Sequence, residues 1–245
     1  AGTCGDDRAT LDADREGILD RTDGPLDTLM LLHERRPQQN ERAHADRMVT
    51  EKAHGPLEIV EPKKLDAELG GEAVHQGVML VTEPLAPLSL AELGDARLIL
   101  VLDQVTDPHN VGAILRSATA FAADGLVTTA RHSPQESGVL AKAASGALEH
   151  VPQIEVRNLA DALESLSRKG FKTIGLDSEG ESTFEDCLDA DRIAIVLGAE
   201  GKGLRQKTRA TCDALARLEM PGAIRSLNVS NAAAVALYAT RRRLG

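Results

Sequence analysis

At 245 residues, with no Trp, one Tyr and three Phe, the chain has room for one large or two smaller domains and needs a core of Leu, Val, Ile and Ala. Cys4, Cys187 and Cys212 are odd in number and lack a CxxC spacing, which argues against a disulfide framework or a zinc site and fits a reducing cytoplasm. No apolar run is long enough to span a membrane, and no signal-peptide pattern follows Ala1, a first residue that points to a missing or processed start. The formal net charge of −10 is uneven: residues 1–96 hold 10 Lys/Arg against 20 Asp/Glu, and residues 97–245 hold 18 of each. Local basic patches therefore decide whether a polyanion can bind, not the sum.

In chain order, residues 1–25 are polar and lack apolar periodicity, so we expect a poorly ordered segment. Leu29–Leu32 is an apolar cluster, and Gln38–Ala53 reads as a polar helix. Leu57–Val60 reads as a strand, Pro62–Leu69 as a short helix closed by Gly70-Gly71, and Gly77–Val81 as another strand. Residues 26–82 thus read as a small α/β domain, and 83–96, with Pro84 and Pro87, as a linker. From Arg97 the alternation sharpens. Strands are expected at Leu98–Leu102, Gly125–Thr129, Ile154–Val156, Lys172–Leu176 and Ile193–Leu197. Helices are expected at Asn110–Ala123, Gln135–Glu149 and Leu159–Lys169. Strands separated by helices imply a parallel sheet with helices on both faces.

Chemistry concentrates at three places. Asp107-Pro108-His109-Asn110 leads into a helix with Gly112 and Arg116. Gly198–Gly203 places three glycines and Glu200 directly after a buried strand, where the backbone must approach something closely. A short apolar segment, Ala214–Met220, then leads through Pro221-Gly222 to Ser226-Leu227-Asn228, which opens a long Ala-rich helix ending in Arg241–Arg243. Strand ends and a helix start expose main-chain N–H groups that can grip a ligand. Each piece alone has an ordinary reading: a Gly-rich turn, a capping Asn, a solvated Arg.

Together and in this order, Asn110-x-Gly112-x-x-x-Arg116, Gly198–Gly203 and Ser226–Asn231 resemble motifs one, two and three of the SpoU (TrmH-like) family of RNA ribose 2′-O-methyltransferases. The resemblance covers residues 97–245. Lys142–Pro152 is similar to the branch acting on a guanosine of 23S ribosomal RNA. His75–Val78 resembles the end of that branch's small N-terminal domain, which is similar to ribosomal protein L30e. Residues 1–40 lack the Gly-x-x-x-Val helix and basic strand with which family members open, so that domain reads as partly eroded.

The resemblance implies an α/β fold whose parallel sheet, flanked by helices, ends in a C-terminal trefoil knot over 97–245. It implies S-adenosylmethionine in the loops 198–203 and 218–228, held by the backbone at Gly198, Leu218 and Leu227. It implies catalytic roles for Asn110, Arg116, Glu200, Ser226 and Asn228. A ribose 2′-OH is a poor nucleophile that needs alignment and a route for its proton. An arginine is too weak an acid to be an ordinary base, yet the family is thought to use the motif-one Arg beside the hydroxyl, so Arg116 would activate or orient it. Asn110 and Glu200 would fix substrate and motif geometry, while Ser226 and Asn228 complete the pocket. No metal is expected, because a sulfonium is already electrophilic. A homodimer is expected through the last helix, about 228–243. Leu218-Glu219-Met220-Pro221-Gly222 departs from the family's Ile-Pro-Met-x-Gly by placing an acid where a proline is usual. The alternatives are a tRNA 2′-O-methyltransferase and a non-catalytic, knotted RNA-binding protein.

Overall fold

The computed structural model describes residues 29–33, 57–70, 78–81, 88–130, 137–223 and 226–245. The segment expected at 1–25, the helix at Gln38–Ala53 and the residues His75–Gly77 lie outside the described residues. The chain divides into two units, Ala1–Leu85 and Ala86–Gly245.

In the first unit, β1 (Leu29–His33) lies between β2 (Leu57–Val60), parallel to it, and β3 (Val78–Val81), antiparallel to it. The apolar cluster at 29–32 is thus the central strand. Helix α1 (Pro62–Leu69) starts with Pro62 in its first turn, where an absent N–H costs no hydrogen bond, and ends at Gly70 with φ 84°. Val60, Leu65 and Met79 pack together beneath it.

The second unit holds β4 (Leu98–Asp103), α2 (Pro108–Ala120), β5 (Gly125–Thr129), α3 (Gly138–Ala144), β6 (Gln153–Val156), α4 (Leu159–Arg168) and β7 (Lys172–Leu176). It continues with β8 (Ser182–Thr183), β9 (Ile193–Gly198), α5 (Gln206–Thr211), β10 (Ala214–Arg217) and α6 (Val229–Leu244). Its seven strands run parallel in the order β6-β5-β4-β9-β7-β10-β8. Side chains alternate across a strand, and both faces of this sheet are covered. Leu98, Leu100 and Leu102 join Ile193, Ile195 and Leu197 under α2 and α6, while Ile99, Val101, Ala194 and Val196 meet α4 on the other face. Burial on both faces is why β4 and β9 are continuous apolar runs.

Several boundaries differ from expectation. The first helix begins at Pro108, with Asp107 as its cap: the Asp107 carboxylate accepts from the His109 N–H at 3.0 Å. Asn110 is therefore inside the first turn instead of at its start, because Pro favours the first helical position and Asp the cap. The expected helix over 135–149 is broken. α3 stops at Ala144, Ser145 and Gly146 both take left-handed conformations, and a 3₁₀ turn follows at Ala147–Glu149. Within the expected linker 83–96, Leu88 bridges to Ile154, Ser89 and Glu92 form a capping box, and Leu93 and Ala96 are buried on the second unit. The Ser89 hydroxyl and main-chain N–H both donate to Glu92, and hold its carboxyl below the usual range. Among the described residues no helix is long and apolar enough to cross a membrane.

Candidate active site

From β4 the chain first builds outward to β5 and β6, and later on the other side through β9, β7, β10 and β8. The order reverses between β4 and β9, which pair from Leu98↔Ile193 to Asp103↔Gly198. A parallel sheet leaves a crevice at the carboxyl ends of the strands where its order reverses. The three sequence motifs emerge there: α2 follows β4, the glycine loop follows β9, and the segment 218–228 follows β10.

Asn228 joins all three. As the N-cap of α6, its Oδ1 accepts from the Ser230 N–H at 2.8 Å and from the Ser230 hydroxyl at 2.6 Å. That fixes which way the amide points. Its Nδ2 then donates to Asn110 Oδ1 at 3.0 Å and to Glu200 Oε1 at 2.8 Å. Asn110 Nδ2 donates in turn to Glu200 Oε2 at 3.5 Å. Residues 118 and 28 positions away from Asn228 are thus held by one side chain. The cap of α6 is Asn228, two residues beyond Ser226, which is exposed.

The glycine loop is folded onto itself. The Gly203 N–H donates to the Ala199 carbonyl at 2.8 Å, and Gly201 and Gly203 take φ 74° and 65°. A Cβ on Gly198 would overlap the main chain of Gly203 and Leu204. The close approach that Gly198 permits is therefore to the returning loop. Below the loop lies a pair that the motifs did not mark. Asp103, fully buried at the end of β4, accepts from the Arg205 N–H at 2.9 Å and from Arg205 Nε at 2.6 Å. The signal available in the sequence was a carboxylate ending the apolar run Leu98–Leu102. Nearby, burial pushes the Cys212 thiol up to about 12, with the charges of Asp213 and Asp103 adding to the effect.

Between the glycine loop and 218–228 opens a cleft of about 990 Å³, lined in part by Gly198, Glu200, Leu218, Ser226, Leu227 and Asn228. This volume suits a cofactor-sized ligand. Leu197, Met220 and Val229 add apolar wall, and Asp177, Arg217 and Glu219 add charge. The main-chain N–H and C=O groups of Glu219, Met220 and Leu227 make no hydrogen bond to any described residue, so they can serve a ligand. Seven of the eight expected site residues therefore border the cleft or its hydrogen-bonded lip. Arg116 does not join them. It is exposed on α2, six residues (about 9 Å of helix rise) beyond Asn110, and no described residue holds its guanidinium.

Residues 97–238 match the SpoU rRNA Methylase family. The chain is 39% identical over 213 residues to the 23S rRNA (guanosine-2′-O-)-methyltransferase RlmB of a Burkholderia species, covering 84% of this chain and 86% of that one. It is 45% identical over 184 residues to the protein of the same name from Ralstonia nicotianae, covering 71% and 73%. Its fold is similar to the SpoU methyltransferase AviRb from Streptomyces viridochromogenes, solved in complex with AdoMet, at a TM-score of 0.72 and 26% identity over 89% of this chain and 83% of that one. With the motif residues gathered at the reversal point of a parallel sheet, the chain belongs to the SpoU rRNA methylase family.

Proposed function

We propose that this protein transfers a methyl group from S-adenosylmethionine to the ribose 2′-OH of a guanosine in 23S ribosomal RNA. The observation that carries this is the meeting of Asn110, Glu200 and Asn228 in one hydrogen-bonded group at the lip of a cofactor-sized cleft. Relatives that bear this activity in their names, spanning most of the chain, choose the substrate.

The cleft fits the cofactor. Unpaired main-chain groups at 219–220 and 227 suit an adenine edge and the methionine portion, apolar side chains suit the ring faces, and carboxylates suit a net cation. When bound, the cofactor supplies a methyl carbon already activated by its sulfonium, so the transfer requires no metal. Gly198, Leu218 and Leu227 hold it through their backbone. Asn228 ties the loops together, and Ser226, which lines the cleft, completes the pocket. Arg116, whose planar fork is not engaged by any described residue, takes an RNA phosphate and orients the 2′-OH.

The mixed sheet of the first unit, as an L30e-like domain, docks ribosomal RNA. The C-terminal segment forms a trefoil knot; this is supported by α6, which follows β10 beyond β7 yet packs on α2 and on the β4–β9 face. The protein works in the cytoplasm as a homodimer through α6, whose Val235 and Tyr238 are 44% and 53% exposed. A monomeric mass by light scattering would remove that interface.

The test supplies the purified protein with methyl-labelled cofactor and, separately, a 23S rRNA transcript and bulk tRNA, followed by mapping of 2′-O-methylguanosine. Label on a single guanosine of the 23S transcript is expected. Label on tRNA alone would replace the substrate. Cofactor binding without transfer to either would make the protein a non-catalytic RNA binder.

A further inference from the structure

We infer that the cleft selects its occupant by charge, and that Glu219 is a residue that sets this selection, favouring the methylated cofactor over the product left after transfer. The inference rests on the cofactor reading above. S-adenosylmethionine carries a sulfonium, an ammonium and a carboxylate, a net charge of +1. In the transfer the S–CH₃ bond breaks, sulfur keeps the electron pair, the methyl carbon bonds to the ribose oxygen, and the proton of that hydroxyl leaves to solvent. S-adenosylhomocysteine is therefore a neutral thioether of almost the same shape, and contacts of shape alone cannot tell the two apart.

Among the described residues, the charges that line the cleft are Asp177, Glu200, Glu219 and Arg217. Asp177 is offset by Arg209, whose Nε lies 3.1 Å from its Oδ2. Among the described residues, Glu200 is held by the neutral amides of Asn228 and Asn110, with no cation paired to it. Arg217 donates to the carbonyls of Gly180 and Glu181 at 2.8 and 2.6 Å, and no described carboxylate is paired to it. Glu219 makes no hydrogen bond or ion pair with any described residue and is exposed. Among the described lining charges it is the carboxylate that tips the balance negative, and none of the loop-fixing bonds depends on it. Each turnover then leaves an occupant that the cleft attracts less than the one it replaces.

The experiment is calorimetry on the full chain and its Glu219→Gln and Glu219→Lys variants with three probes: S-adenosylmethionine, S-adenosylhomocysteine and sinefungin, which carries a positive amine and no transferable methyl. At low salt, Glu219→Gln weakens the two cationic probes by about two- to five-fold, the range of a solvent-exposed pair, and leaves the neutral one unchanged. Glu219→Lys weakens the cationic probes further, and high salt narrows all these differences. Equal losses for all three probes, or none for any, would overturn the charge selection while leaving the cofactor site standing. A wild-type chain that binds none of the three would overturn both.

Discussion

Arg205→Ala removes the partner of a fully buried carboxylate, and its cost can be bracketed. Breaking a buried ion pair from one side costs about 3–5 kcal/mol, because the remaining charge is stranded. An exposed pair is worth less than about 1 kcal/mol. Asp103 is 0% and Arg205 41% exposed, so the pair lies between these limits. The Arg205 main-chain N–H, 2.9 Å from Asp103 Oδ2, remains in the variant. What is lost is one charge-assisted hydrogen bond, roughly 2 kcal/mol, or about 1 M in urea midpoint at a typical slope. Asp103→Asn in the same chain removes the stranded charge, so the double variant is more stable than the two single losses added. Because the pair anchors the loop that carries Glu200, calorimetry finds weaker cofactor binding in Arg205→Ala. An Arg205→Ala change within about 0.5 kcal/mol of wild type, as at an ordinary surface site, or strict additivity in the cycle, would refute the anchoring argument.

Arg116→Ala lowers methyl transfer by roughly 10²-fold or more, the scale for losing the alignment of the reacting atoms, while cofactor affinity and unfolding midpoint stay at wild type. Arg116→Lys, which keeps the charge without the planar fork, is nearly as poor, and a near wild-type rate in Arg116→Ala would end the assignment. Cys212 makes stability fall at alkaline pH. With a folded value raised from 9.0 to about 12, the thiol is neutral in both states below pH 9, and above it only the unfolded chain ionises readily. Up to pH 12 stability falls by about 1.4 kcal/mol per pH unit from this group. Urea midpoints at pH 8, 9 and 10 should show a shallower slope in Cys212→Ala, and identical slopes would refute the shift. Gly198→Ala forces the glycine loop off the Gly203–Leu204 main chain, costing about 2 kcal/mol or more, and an unchanged melting temperature would show that the loop yields freely.

The parallel sheet was readable because its central strands are buried on both faces. Leu98–Leu102 and Ile193–Leu197 had to be apolar at every position, and five such residues between polar turns have few other uses. The motif residues were readable as types in an order. Which atoms meet was not. A hydrogen bond from Asn228 to Asn110 spans 118 positions and depends on how β4, β9 and β10 are ordered in the sheet. Asp103 and Arg205 were missed because neither belongs to a local pattern; one ends an apolar run and the other follows a glycine turn. The two-residue β8 and six-residue α5 are too short to show a period. The break at Ser145-Gly146 overrode an Ala-rich stretch that favours helix, because two successive left-handed residues end a helix whatever its propensity.

The position of Asn228 also sets an order of assembly. On the ribosome, β4, α2, β9 and the glycine loop are all synthesised before the side chain that holds them together. A nascent chain can pair its strands early, but Glu200 and Asn110 wait without the Asn228 amide until α6 arrives, and Ala233, Ala236 and Leu237 are missing from one face of the core. Contacts of such long sequence separation form late and slowly. Fragments terminated before residue 228 therefore carry motifs one and two, an open apolar sheet face and no cofactor cleft, which makes them substrates for chaperones and proteases instead of partly active enzymes.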